Sequence, residues 1–216
     1  WWYLSPGISN ATEEYDGNSW TSSNPMITAR LLLGGTGTQT AGLAFGGSTA
    51  YPAEPGVIGA TEEYDGISWS SNPTGLNTAR YGLAAAGTQT AALGFGGYIT
   101  TNQSGTEEYD GSTWTASNPL NTARRFLGGV GIQTAAVAFG GFSPSGSPAV
   151  TGATEEYNGA TWATSPASLS TVRYGLAGAG NALLGLAFGG GATGFNAETE
   201  EWTGPGAGVT KTITVS

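Results

Sequence analysis

The residues best equipped for chemistry in this sequence are its paired carboxylates. Glu13-Glu14, Glu62-Glu63, Glu107-Glu108, Glu155-Glu156 and Glu200-Glu201 hold ten of the 15 acidic residues. Such pairs suggest general acid–base work or a calcium ligand set. On a strand, however, adjacent residues point to opposite faces, so neighbouring glutamates cannot share one proton or one metal ion. A catalytic centre is needed once, and this pair occurs five times. Four of the six basic residues, Arg30, Arg80, Arg124 and Arg173, recur in step with the pairs. A guanidinium fork matches a carboxylate in shape and charge. The expectation is therefore structural. Each repeat arginine is buried and meets a glutamate, with Glu13, Glu62, Glu107 and Glu155 as the acidic partners. Calcium ligation and catalysis stand behind this as alternatives.

What the sequence lacks is equally informative. It contains no histidine, the commonest general base and transition-metal ligand, and no cysteine for a disulfide framework or a thiolate site. No catalytic residue, metal site or cofactor is assigned. The net charge of −9 with only six basic residues leaves no footprint for nucleic acid and little attraction to an anionic membrane. No apolar run approaches the roughly 18 residues of a membrane span, and no signal peptide is read. The chain starts at Trp1 rather than a methionine. The expectation is a processed chain, a trimmed one, or the ordered part of something longer.

The elements that must position these residues follow from an internal repeat. Thr-Glu-Glu-Tyr-Asp-Gly begins at Thr12, Thr61 and Thr106, with close variants at Thr154 and Thr199. A tryptophan lies five residues after each of the first four tyrosines, at Trp20, Trp69, Trp114 and Trp162. From repeat arginine to the phenylalanine of the next Phe-Gly-Gly is 15 residues in all four copies, whereas the interval from that phenylalanine to the next tyrosine or Trp202 is 19, 14, 18 and 14. Constant intervals mark scaffold and the variable one marks a surface loop. Each cycle reads as four strands. Strand a directly follows the arginine (Arg30-Leu-Leu-Leu), and Gly35-Thr-Gly-Thr-Gln39 turns into strand b at Ala41–Phe45. Strand c is Thr-Glu-Glu-Tyr, and strand d carries the tryptophan. The Asp-Gly or Asn-Gly between c and d predicts a two-residue type I′ hairpin. Expected strands include residues 41–45, 61–64, 91–95, 106–109, 135–139 and 183–188. Four-stranded units of this length, repeated, predict an all-β fold: a β-propeller of antiparallel blades, about five in number with the first incomplete, forming one domain over residues 1–216. Trp1-Trp2-Tyr3-Leu4 is the only strand available ahead of the first copy, and Val209–Val215 replaces the tryptophan strand of the last.

Gly46-Gly47 after a hydrophobic strand, then Glu62-Glu63-Tyr64-Asp65, then Trp69, with equivalents in each copy, resembles the kelch repeat over nearly the whole chain. That resemblance implies a propeller whose common role is protein interaction. The Thr-Glu-Glu-Tyr-Asp-Gly-x-Ser-Trp wording, rich in Gly, Ala and Thr, is also similar to kelch-like arrays of bacteriophage virion and tail-fibre proteins, which implies a virion or extracellular location.

The expected function is a non-enzymatic binding or structural module that engages a protein or glycan surface. An intracellular kelch-type adaptor is the first alternative. A propeller glycosidase is a weaker one, because only Glu54 and Glu198 lie outside the repeat pattern, on loops of different blades. The b–c and d–a connections emerge on one face. There the variable b–c loops carry Tyr51, Tyr98, Phe142 and Phe195, with Glu54 and Asn102 nearby, as candidate binding residues. The alternative for these aromatics is that they cap the tops of the blades.

Overall fold

The computed structural model describes residues 7–143, 149–192 and 194–204. The segments 1–4 and 209–215, read above as terminal strands, lie outside the described residues. Among the described residues the chain forms 17 strands and no helix. An incomplete unit of β1 (Thr12–Tyr15) and β2 (Trp20–Ser23) is followed by three four-stranded antiparallel sheets. Blade I comprises β3 (Gly34–Thr38), β4 (Ala41–Phe45), β5 (Thr61–Tyr64) and β6 (Trp69–Asn72). Blade II comprises β7 (Ala84–Thr88), β8 (Ala91–Phe95), β9 (Thr106–Tyr109) and β10 (Trp114–Ser117). Blade III comprises β11 (Gly128–Ile132), β12 (Ala135–Phe139), β13 (Thr154–Tyr157) and β14 (Trp162–Thr164). Blade IV contributes β15 (Ala177–Gly180), β16 (Gly185–Phe188) and β17 (Thr199–Trp202). The arrangement is a β-propeller of about four blades plus the incomplete first unit. The innermost strands β3, β7, β11 and β15 touch in succession around the axis.

Two local expectations are corrected. The innermost strand starts four residues after the arginine rather than next to it, and the Gly-Thr-Gly-Thr segment read as a turn is strand. Only Gln39-Thr40 turns, since Thr38 pairs with Ala41. Small residues are needed where these strands crowd the axis: a Cβ on Gly129 would come within 2.6 Å of the Phe95 ring. The c–d hairpin is also longer than two residues. Tyr64 pairs with Trp69, leaving Asp65 to Ser68 in the loop. The Asp65 Oδ1 accepts the amides of Ile67 at 2.9 Å and Ser68 at 2.8 Å, an Asx turn in which Gly66 alone takes positive φ, +90°. The aspartate thus acts through its side chain, where a type I′ turn would have used its backbone.

The core lies between blades. Leu43 and Phe45 of blade I pack with Tyr109 and Trp114 of blade II, and Phe95 packs with Trp162 of blade III. The ring centroids of Phe45 and Trp114 are 4.6 Å apart and those of Phe95 and Trp162 are 4.9 Å apart. Burying a large apolar side chain contributes about 1.5–3 kcal/mol, so each joint carries several kcal/mol in two or three rings.

Candidate functional site on the b–c face

The repeat arginines are scaffold. All four are at most 4% exposed and each lies against a glutamate of its own blade: Arg30 with Glu62, Arg80 with Glu107, Arg124 with Glu155 and Arg173 with Glu200. The last three pairs measure 3.0–3.1 Å. Each glutamate also accepts two backbone amides from the d–a connection, as Glu155 does from Asn121 at 2.6 Å and Thr122 at 3.3 Å. Each arginine also binds carbonyls at the end of strand b and the return of the b–c loop, as Arg124 does with Gly140 at 3.0 Å and Ala153 at 2.6 Å. The ion pair therefore staples three backbone segments. Burial pulls the Arg80 and Arg124 guanidinium pKa down, and the facing carboxylate opposes this. Glu13 is exposed and meets no arginine, and the pairing role in the last blade falls to Glu200.

The second glutamate of each pair joins blades. Tyr64, Tyr109 and Tyr157 donate their hydroxyls to Glu14, Glu63 and Glu108 of the preceding unit. Trp69, Trp114 and Trp162 donate indole N–H to Thr12, Thr61 and Thr106 at 2.9–3.0 Å. Gln39, Gln89 and Gln133 reach the carbonyls of Tyr15, Tyr64 and Tyr109. Burial, with the Glu108 carboxylate next, pushes the Tyr157 hydroxyl up to about 12. Blade IV has Trp202 in the tyrosine place, and its indole donates to Ala182 instead. Beside it Phe139 and Thr154 line a small apolar depression of about 60 Å³. Those two residues are the counterparts of Phe45 and Thr61, which hold Trp114.

The remaining chemistry gathers on the face where b–c loops and d–a connections meet. There each blade makes a miniature three-segment layer. The residue after the arginine bridges the residue after Phe-Gly-Gly, which bridges the returning loop: Leu31, Ser48 and Val57; Tyr81, Tyr98 and Asn102; Arg125, Phe142 and Val150; Tyr174, Gly191 and Phe195. The aromatics grouped by sequence therefore occupy three different places. Tyr98 and Phe142 follow the Gly-Gly doublet, Phe195 sits on the return segment, and Tyr51 projects from the long loop of blade I. Tyr51 is 52% exposed, and Phe195 is fully exposed.

Tyr98, Phe142 and Asn102 converge with residues that the sequence reading missed. The Arg125 guanidinium carbon stands 4.3 Å from the Tyr98 ring centroid, 4.7 Å from Phe142 and 5.5 Å from Phe126. Its Nη1 donates to Asn102 Oδ1 at 3.1 Å, while the Asn102 amide donates to the Phe142 carbonyl at 2.6 Å. Tyr81 packs on Tyr98 and Phe126, and Tyr174 on Phe126 and Phe142. The result is a continuous aromatic band across blades II to IV around one cation. A depression of about 340 Å³ opens beside it, lined by Tyr81, Tyr98, Arg125 and Phe126 and by the loop segment 52–54 with Glu54. Burial raises the Tyr81 hydroxyl pKa, followed by the Glu54 charge. Glu198 lies elsewhere, on the b–c loop of blade IV, where hydrogen bonds from Thr171 and then Asn196 lower its pKa.

A backbone thread holds this face. Gly82 N donates to Leu32 O at 2.8 Å, Phe126 N to Gly82 O at 2.7 Å and Gly175 N to Phe126 O at 2.8 Å. All four residues take positive φ, and two of them, Leu32 at 56° and Phe126 at 54°, are not glycine. The left-handed conformation costs a side-chain-bearing residue about 1–2 kcal/mol. Phe126 is thereby aimed over Gly82, where a Cβ would come within 2.6 Å of its ring. The sequence signal was present. The two positions after each repeat arginine read Leu-Leu, Tyr-Gly, Arg-Phe and Tyr-Gly, variable residues inside an otherwise fixed frame.

No known family model matches the chain, and no curated protein matches it.

Proposed function

We infer that this protein is a non-enzymatic binding module, a kelch-type propeller that engages a glycan or protein surface through its b–c face as part of a virion or another extracellular assembly. The observation that carries the reading is the Arg125-centred aromatic band beside an open depression. Each repeat arginine meets a glutamate, whereas this guanidinium is flanked by three rings and has no carboxylate within 4.0 Å among the described residues. Exposed aromatics with a few polar groups are the usual makings of a recognition surface. The long loop 48–60 supplies part of the depression's lining and differs most in length between blades, which suits a contact that is tuned independently of the scaffold. The kelch-like wording of the repeat and the similarity to virion arrays support the assignment of class and location.

The test is a loop exchange. Replacing residues 48–60 by the eight-residue loop of blade II removes Tyr51 and Glu54 while keeping the joint residues. Binding to a glycan array or to the host cell surface is expected to be lost with the melting temperature retained. Retained binding in a folded loop-exchanged protein refutes the assignment of this face.

A further inference from the structure

The geometry points to a sugar acid, a saccharide ring bearing one carboxylate, as the ligand of the depression beside Arg125. This rests on the b–c face being the binding face, and it names the chemistry that face selects.

Of the five N–H donors on a guanidinium, only those on Nη1 of Arg125 meet a protein acceptor among the described residues, Asn102 Oδ1 at 3.1 Å. Among the described residues it is the one arginine with no carboxylate within 4.0 Å, the other four each having a glutamate. The rings of Tyr98 and Phe142 and the Asn102 bond hold the guanidinium at the depression that Arg125 helps to line. A preorganised planar fork is the donor set that a carboxylate takes in bidentate fashion. Beside it, Tyr81 and Phe126 present rings suited to the C–H face of a pyranose, and Glu54 in the same lining accepts hydroxyl hydrogens. The depression, about 340 Å³, lies at the lower end of the range of small-ligand sites, roughly 300–1,000 Å³. The same features disfavour a polyanion. One cation beside a glutamate, in a chain of net charge −9, matches a ligand with a single charge and many hydroxyls.

The experiment compares the intact chain with methyl glucuronide, methyl galacturonide and the methyl glycoside of a nonulosonic acid against methyl glucoside and methyl galactoside. Acetate serves as the carboxylate without a ring. Binding is followed by saturation-transfer NMR and titration calorimetry. At least one acidic glycoside is expected to bind tenfold or more tightly than its neutral counterpart and than acetate. Arg125→Gln is expected to abolish that preference, and Arg125→Lys to restore only part of it because the fork is gone. Tyr81→Ala, which leaves the guanidinium in place, is expected to weaken acidic and neutral glycosides alike. This second variant keeps the test valid should Arg125→Gln fold poorly. The inference is overturned if acidic and neutral glycosides bind equally, if acetate competes as well as the uronosides, or if Arg125→Gln keeps the preference. It is also overturned if no saccharide binds while an acidic peptide does. In each of those cases the loop exchange at 48–60 still decides separately whether the b–c face is the binding face.

Discussion

Removing both charges of a staple should fail to rescue it. In general, a buried ion pair exchanged for apolar residues of similar volume is often neutral or stabilising, whereas losing one partner costs about 3–5 kcal/mol. The Arg124–Glu155 pair departs from the first half of that rule because most of its bonds go to backbone. Arg124→Met alone leaves Glu155, 1% exposed, without its counter-charge, and falls in the 3–5 kcal/mol range. In Arg124→Met/Glu155→Leu the charge problem disappears, but the Gly140 carbonyl and the amides of Asn121 and Thr122 lose the partners they had at 3.0, 2.6 and 3.3 Å. The Ala153 carbonyl keeps a second partner, the Gly140 amide at 3.1 Å, and adds nothing. At about 1 kcal/mol for each of the three groups, the low end for an orphaned polar group, the double variant remains about 3 kcal/mol less stable than wild type. For a domain of this size that is a fall of roughly 6–12 °C in melting temperature. Urea unfolding with an unchanged slope reads the difference directly. A double variant within about 1 kcal/mol of wild type would show that the staple is only an ion pair, and the reasoning falls.

Other outcomes follow from the same geometry. Tyr157→Phe removes the hydroxyl shared between Glu108 and Ser117 and should cost about 1 kcal/mol. Because that hydroxyl titrates near 12 in the fold, above its ordinary value of 10.0, its contribution is complete below 10.0 and vanishes as pH rises towards 12. Wild type should lose more stability than Tyr157→Phe across that window, and equal losses refute the assignment. Asp65 and Asp110 have pKa values lowered by backbone amides, from Ser68 first and Thr113 first. Their contribution is present above the unfolded value near 3.8 and is lost as pH falls below it. The double variant Asp65→Asn/Asp110→Asn should fold normally, since Asn158 makes the same turn in blade III, and should lose less stability on acidification than wild type. Leu32→Gly should stabilise the protein by about 0.5–1 kcal/mol, because relief of the left-handed strain exceeds the entropic cost of glycine. A lower melting temperature than wild type contradicts this.

Much of the architecture was legible because the repeat states its own register. Fixed spacing from Arg30 to Phe45 and from Tyr64 to Trp69 follows from strands that must pair in one alignment, and an arginine recurring beside small apolar residues has to be buried and paired. The position of the innermost strand was not legible. Glycine and threonine spell a turn locally, and only the crowding of four strands around an axis turns Gly34–Thr38 into a strand. Tyr98, Phe142 and Asn102 could be picked out as residues of a variable loop. Arg125 and Phe126 could not be placed with them, because what unites them is the bridge from Arg125 to Phe142, a pairing between segments 17 residues apart with no local pattern. Tyr51 and Phe195 group with Tyr98 as b–c loop aromatics, yet they stand six and seven residues after their strand phenylalanines where Tyr98 stands three after Phe95, and so fall elsewhere.

The joint between blades has a direction. Tyrosine hydroxyl, tryptophan N–H and glutamine amide all reach from a later unit into an earlier one, while Thr36 and Asn118 donate to carbonyls of the following blade, so the two sides of a blade carry different groups. Each joint is therefore heterologous, one side of a blade meeting the other side of the next. The same asymmetry makes a blade a transferable genetic unit. In-frame duplication or loss of one whole repeat of about 45–50 residues leaves every remaining joint with its full set of donors and acceptors, so a lineage can change the number of copies without inventing a contact. A breakpoint between an arginine and the glutamate of its own blade would break that ion pair. The scaffold residues are therefore held nearly identical from copy to copy by the need to fit any neighbour, while the b–c loops, which supply none of these tyrosine, tryptophan and glutamine contacts, are free to diverge one at a time.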